Sequence, residues 1–297
     1  MVTVKKGTPK RDGSSLSSLT SPLPFLEVDM KRLLLVLLVL ILCAPAWAAN
    51  DFSVDPNAVA LWRFENGALT TDSKGANTLT NSGVGGDTTN YKEGLASALF
   101  NAVSDVLYRA DADLDAGFPF KSGDTTKKIT VCGWFRPTSL IAFNRWLVSK
   151  YRWSDNERSF GIFVDDASNA ISLSIGYNSG ASYEELIHAS TLIVNTWYHF
   201  GITFDDSDKS YRIRIWDDTA GAILGVDKTG TATNNMYAGA APFAIGKGES
   251  DNALSAQVDE IVVFNDILTA DEIDEIRNGT YGSASSTSDW WYRRRHN

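Results

Sequence analysis

Cysteine and histidine are scarce: two Cys and three His in 297 residues. Cys43 falls in an N-terminal segment expected to be removed, which leaves Cys132 alone, so a disulfide framework and a thiolate metal site are both excluded. His188, His199 and His296 are scattered, and no G-x-S-x-G elbow accompanies them, so a serine-histidine nucleophile has no foothold. Gly83-Val84-Gly85-Gly86 lacks the lysine and the helix that a phosphate-cradling loop needs. Basic runs are also missing, apart from Arg293-Arg294-Arg295. With 36 acidic against 27 basic residues and a net charge of −9, nucleic acid is not an expected partner.

What the chain does have begins with Met30-Lys31-Arg32, an apolar run from Leu33 to Leu42, and Ala44-Pro45-Ala46-Trp47-Ala48-Ala49. A charged start, a short apolar stretch and an A-x-A site predict a signal peptide over 30–49, since the run is too short to span a bilayer. Leu42 is too large, just before Cys43, for a lipoprotein signal. Residues 1–29 are polar and aperiodic, which reads either as a non-native extension ahead of Met30 or as a long n-region. Loss of residues 1–49 takes away six basic and three acidic residues, leaving 21 and 33, net −12. The expectation is a secreted or periplasmic protein with no transmembrane segment in the mature chain.

Residues 50–279 consist of short β-type segments separated by Gly, Asn, Asp and Ser clusters. Ile129, Val131, Gly133 and Phe135 alternate with Thr130, Cys132, Trp134 and Arg136, and Tyr211, Ile213 and Ile215 alternate with Arg212 and Arg214. A dozen or so such segments, with no fixed repeat, predict an all-β fold: a two-sheet antiparallel sandwich forming one domain. Residues 280–297 are a polar linker and an aromatic, basic tail.

Leu268 to Gly279 breaks the β pattern. Thr269 and Glu272 form a capping box, Leu268 and Ile273 a hydrophobic staple, and Asn278-Gly279 a stop, so one short helix is predicted near the end of the domain. On a helix Glu272 and Asp274 point about 200° apart, which removes them as a catalytic carboxylate pair. The acidic pairs at 165–166, 205–206 and 217–218 read as turns. No catalytic residue is predicted and the chain is not expected to be an enzyme.

A carbohydrate site needs flat aromatics beside hydrogen-bonding groups. Tyr151 and Trp153 supply stacking faces, and Asn156 and Arg158 supply polar groups, all within one predicted loop.

Several stretches together resemble a known family. Ala60-Leu61-Trp62-Arg63-Phe64-Glu65 leading to Asp72-Ser73-Lys74-Gly75 is similar to its opening, and Ile129 to Pro137, Leu147 to Lys150 and Asn195 to Phe200 follow in its order. Val258-Asp259-Glu260-Ile261-Val262-Val263-Phe264-Asn265 with Leu268 to Ile273 closely resembles its closing motif. These mark the laminin-G-like jelly-roll domains of the concanavalin A-like lectin/glucanase superfamily, over roughly residues 55–279. The resemblance implies a jelly-roll sandwich that binds a glycan or a cell-surface or matrix protein, and often a structural calcium. Glu65, Asp72 and Asp259 are the carboxylates it nominates for calcium, an ion that takes six to eight oxygens. The superfamily also contains glycan-cleaving enzymes, and a structural adhesion role is the remaining alternative.

Overall fold

A computed structural model describes residues 3, 7, 50–140, 145–248 and 254–283. Residues 30–49, expected to be a signal peptide, and the tail beyond 283 lie outside the described residues. The chain divides into two units, Met1–Ala46 and Trp47–Asn297, and the second carries both β-sheets.

Its first strands are β1 (Ala58–Trp62), β2 (Thr80–Ser82), β3 (Gly85–Asp87), β4 (Ser97–Phe100), β5 (Val106–Arg109) and β6 (Lys128–Pro137). Then come β7 (Arg145–Arg152), β8 (Glu157–Val164), β9 (Ile171–Tyr177), β10 (Ser182–Ile187), β11 (Tyr198–Asp205) and β12 (Ser210–Asp217). The last are β13 (Ala222–Ile223), β14 (Lys228–Thr231), β15 (Phe243–Ile245) and β16 (Ala256–Phe264), followed by α1 (Ala270–Arg277).

One sheet runs β13-β12-β11-β6-β16-β4-β3, with β1 paired to β16 and β14 to β12. The other runs β10-β9-β8-β7-β15-β5-β2. Every pairing is antiparallel. This is the two-sheet sandwich expected from the alternating segments, and Ile129, Val131, Phe135, Tyr211, Ile213 and Ile215 all enter the core between the sheets. Among the described residues no helix is long and apolar enough to cross a membrane.

The helix forms as its sequence dictates. The Thr269 side chain accepts from the Glu272 amide, and Glu272 accepts in return from the Thr269 amide at 2.8 Å, a complete capping box. Leu268, Ile273 and Ile276 bury against Cys132, Val262 and Phe264 on the outer side of the nine-stranded sheet. Asp274 does more than face solvent: it receives Arg214 Nη2 at 2.6 Å and ties the helix to β12.

Candidate functional site

Strand register decides which side chains share the outer face of the seven-stranded sheet. Paired residues point the same way, so Glu185, Ser174, Gly161, Ser149, Ala244 and Tyr108 form one row across β10, β9, β8, β7, β15 and β5. A parallel row holds Ile187, Ser172, Phe163 and Trp146. The Trp146 indole lies over Gly161, where a Cβ would come within 2.0 Å of the ring, so only glycine fits at that place. Trp146 then packs at a tilt on Tyr151, ring centres 4.7 Å apart, and on Phe163 at 5.2 Å, a small aromatic cluster on this outer face, distinct from the main core.

The loop singled out from sequence meets this cluster. Tyr151 is buried at the end of β7, and burial pushes its phenol up to about 12, so it stays a neutral donor. Asn156 takes the left-handed conformation at φ 61° and donates its amide to the Trp153 carbonyl at 3.3 Å, which closes the β7–β8 turn. Arg158 is buried on β8. Its Nη1 donates to the Gly180 carbonyl at 2.5 Å, and its guanidinium carbon sits 3.8 Å from the Trp153 ring centre and 6.0 Å from that of Tyr151. Trp153 is 55% exposed, and Tyr183 of β10, also exposed, meets it edge-on at 5.6 Å.

The structure therefore brings Tyr151, Trp153 and Arg158 together, with Arg158 beneath the Trp153 ring as a prop and Asn156 as the former of the turn. Sequence reasoning missed Tyr183, Trp146 and Tyr108, which join the face only through register. The alternation of Tyr183, Glu185 and Ile187 was the signal that could have found the first.

The carboxylates nominated for calcium occupy a second region. Asp259 Oδ2 accepts from the amides of Lys92 at 2.7 Å and Glu93 at 3.0 Å, and Glu65 accepts from the Leu95 amide at 3.0 Å. These two residues thus hold one segment, 92–95. Asp72 serves a separate loop: its oxygens accept from the amides of Leu61, Lys74 and Asn77, each at 2.9 Å.

Glu260, part of the closing motif but given no site role from the sequence, is brought in by a bulge. The β16–β6 register jumps between Asp259 and Val262, and Glu260 adopts φ 50° there, opposite Gly133, whose missing Cβ leaves room for Ile261. Two consecutive carboxylates are buried as a result. Burial pushes the Asp259 carboxyl up to about 8 against the pull of its two amide bonds, and pushes Glu260 up to about 8 against the pull of Arg63, which donates to it at 3.0 Å. Burial likewise raises Glu93, whose neighbour Lys92 has its ammonium 4.4 Å from the Trp134 ring.

The oxygens of Glu65 and Asp72 are committed to backbone amides. Asp259 Oδ1 is buried without a hydrogen-bond partner among the described residues. Among the described residues no group of three or more His, Cys, Asp or Glu side chains is gathered to hold a metal ion.

A family model described as the concanavalin A-like lectin/glucanases superfamily, Laminin_G_3, matches residues 113–274. Domain 4 of AbnA, a GH43 extracellular arabinanase from Geobacillus stearothermophilus in complex with arabinotriose, matches with a TM-score of 0.54 at 14% identity. The match covers 74% of this chain and 98% of that one. The binding domain of botulinum neurotoxin DC in complex with SialylT gives 0.54 at 12% identity over 76% of this chain and 52% of the other, so this chain spans about half of that length. At such identities the likeness is one of fold. Comparison with curated proteins finds no match.

Proposed function

We propose that this chain, which belongs to the concanavalin A-like lectin/glucanases superfamily, is an exported, non-catalytic module that binds carbohydrate on the outer face of its seven-stranded sheet. The observation that carries this reading is the Trp153 ring, backed on one side by the Arg158 guanidinium at 3.8 Å and more than half exposed. A flat ring held from behind presents its other face to the apolar C–H face of a sugar, and the exposed Tyr183 ring stands beside it at a steep angle. Two structures of the same fold hold named ligands, arabinotriose in one and SialylT in the other, which supports the class.

Raised carboxyls side by side are also what a glycosidase uses, so Asp259 and Glu260 favour the hydrolase alternative on chemistry. Access weighs against it: Asp259 is fully buried and Glu260 is 5% exposed, behind Arg63 and the 92–95 segment. Hydrolysis of any bound glycan that is lost in Glu260→Gln would overturn the non-catalytic reading.

Calcium belongs to the proposal at one point, Asp259 Oδ1, where a bound ion would meet an otherwise unpartnered oxygen. Export rests on residues 30–49, and N-terminal sequencing of material recovered outside the cell tests it, with a start at or near Asn50 expected.

A further inference from the structure

The Trp153 ring supplies stacking, but stacking alone does not choose between sugars; that takes hydrogen-bonding groups beside the ring. On β10 the alternation that places Tyr183 on the outer face places Glu185 there too, two residues and so about 7 Å further along the strand. β10 is the outermost strand of its sheet, and Glu185 is exposed.

The two neighbouring glutamates of this strand differ in what they hold. Glu184 turns to the other side, where its carboxylate accepts from the amides of Thr233 at 3.0 Å and Asn234 at 3.2 Å. Glu185 makes no hydrogen bond or ion pair among the described residues. Partial burial, and after it the charges of Asp165 and Asp166, hold its carboxyl above the usual carboxylate range, and no described cation offsets them. The Arg158 guanidinium is committed elsewhere, to the Gly180 carbonyl and the Trp153 ring. The adjoining strand, β9, has a polar group to spare as well. Ser174 lies opposite Glu185 and close to the Tyr151 phenol. Ser172, opposite Ile187 on the same face, is fully buried, with its Oγ in no hydrogen bond among the described residues. An unmet carboxylate and an unmet hydroxyl near an exposed aromatic ring are groups that a bound polyol satisfies.

Resting on the carbohydrate-binding reading above, we infer that Glu185 is the specificity-determining residue of the Trp153 face: it accepts hydroxyl hydrogens from a neutral sugar stacked on that ring and excludes carboxylated sugars. The sugar ring lies on Trp153 beside Tyr183, and its hydroxyls donate to the Glu185 carboxylate, a charge-assisted bond. A carboxylated ring in the same place sets like charge against like, and Asp165 and Asp166 deepen that repulsion. The ligand class is a neutral, hydroxyl-rich oligosaccharide.

The test is calorimetric titration of the full chain with neutral hexaoses of glucose, xylose, mannose, galactose and arabinose, and with hexagalacturonate as the acidic probe. At least one neutral hexaose is expected to bind, about tenfold or more tighter than hexagalacturonate, with a gap that salt narrows. Glu185→Gln, at an unchanged melting temperature, should weaken that neutral hexaose about tenfold and leave hexagalacturonate bound as well as before or better. Loss of structure would weaken both probes together. Hexagalacturonate that binds the wild type as tightly as the neutral probes overturns the role of Glu185 and leaves the carbohydrate reading standing. So does neutral binding that is unmoved in Glu185→Gln but lost in Trp153→Ala. Binding of no probe by the wild type overturns both.

Discussion

Arg158 lies beneath Trp153, its guanidinium carbon 3.8 Å from the ring centre, while its Nη1 is tied to the Gly180 carbonyl at 2.5 Å. A buried cation with a fixed backbone partner holds the most exposed aromatic of this face in one orientation. The roles of the two residues separate experimentally. Trp153→Ala is expected to weaken glycan binding by about tenfold, or about 1.4 kcal/mol, with little change in melting temperature, because the ring is largely in solvent. Arg158→Ala should weaken binding and lower the melting temperature together, since it leaves the Gly180 carbonyl without its donor. Calorimetric titration and thermal unfolding of both variants check this pair.

The buried carboxyls predict an unusual pH profile. Asp259 and Glu260 move from ordinary values of 3.8 and 4.5 to about 8 in the folded chain. The native state therefore keeps protons that the unfolded chain gives up. Their stabilising contribution is fully present below about pH 4 and is lost as pH rises through 8. In calcium-free buffer the melting temperature should fall between pH 5 and 8, and Asp259→Asn should flatten that fall. A melting temperature that instead rises steadily across this range contradicts the assignment.

Calcium acts on the same residue with the opposite sign, because a cation favours the carboxylate. In calcium-containing buffer at pH 7.5, chelator should lower the melting temperature of the wild type and leave that of Asp259→Asn unmoved. No change in the wild type excludes a structural ion at Asp259.

Lys150 is fully buried beneath the proposed binding face, 2.7 Å from Asp111 and bonded to the carbonyls of Gly239 and Ala241. Its ammonium joins β7 to the segment leading into β15. Lys150→Met strands the Asp111 charge and two carbonyls in the interior, and a loss of about 3–5 kcal/mol in denaturant unfolding is expected.

The long strands and the helix were legible because their signals are local. Alternation in Ile129 to Phe135 and in Tyr211 to Ile215 fixes which side chains enter the core between the sheets, and the Thr269–Glu272 capping box needs no tertiary information. The short strands at 80–82, 85–87, 222–223 and 228–231 were not legible. Those at 80–82, 85–87 and 228–231 are built largely of Gly, Asn, Ser and Thr, the Ala222–Ile223 strand is only two residues long, and all four pair with a neighbour while staying largely exposed. The same division runs through the candidate sites. Tyr151, Trp153 and Arg158 are close in sequence and were found together, whereas Tyr183 reaches the face through sheet register. Glu260 was hidden because a bulge puts it in the interior beside Asp259, where regular alternation would have turned one of the two outward.

The central claim is that this face, organised around Trp153, binds sugar. A glycan array probed with the wild-type chain and with Trp153→Ala, in the presence and absence of calcium, tests it most directly. The wild type is expected to bind at least one class of glycan, and Trp153→Ala, folded to the same melting temperature, to lose most of that signal. Failure of the wild type to bind any glycan, or equal binding by the variant, would contradict it.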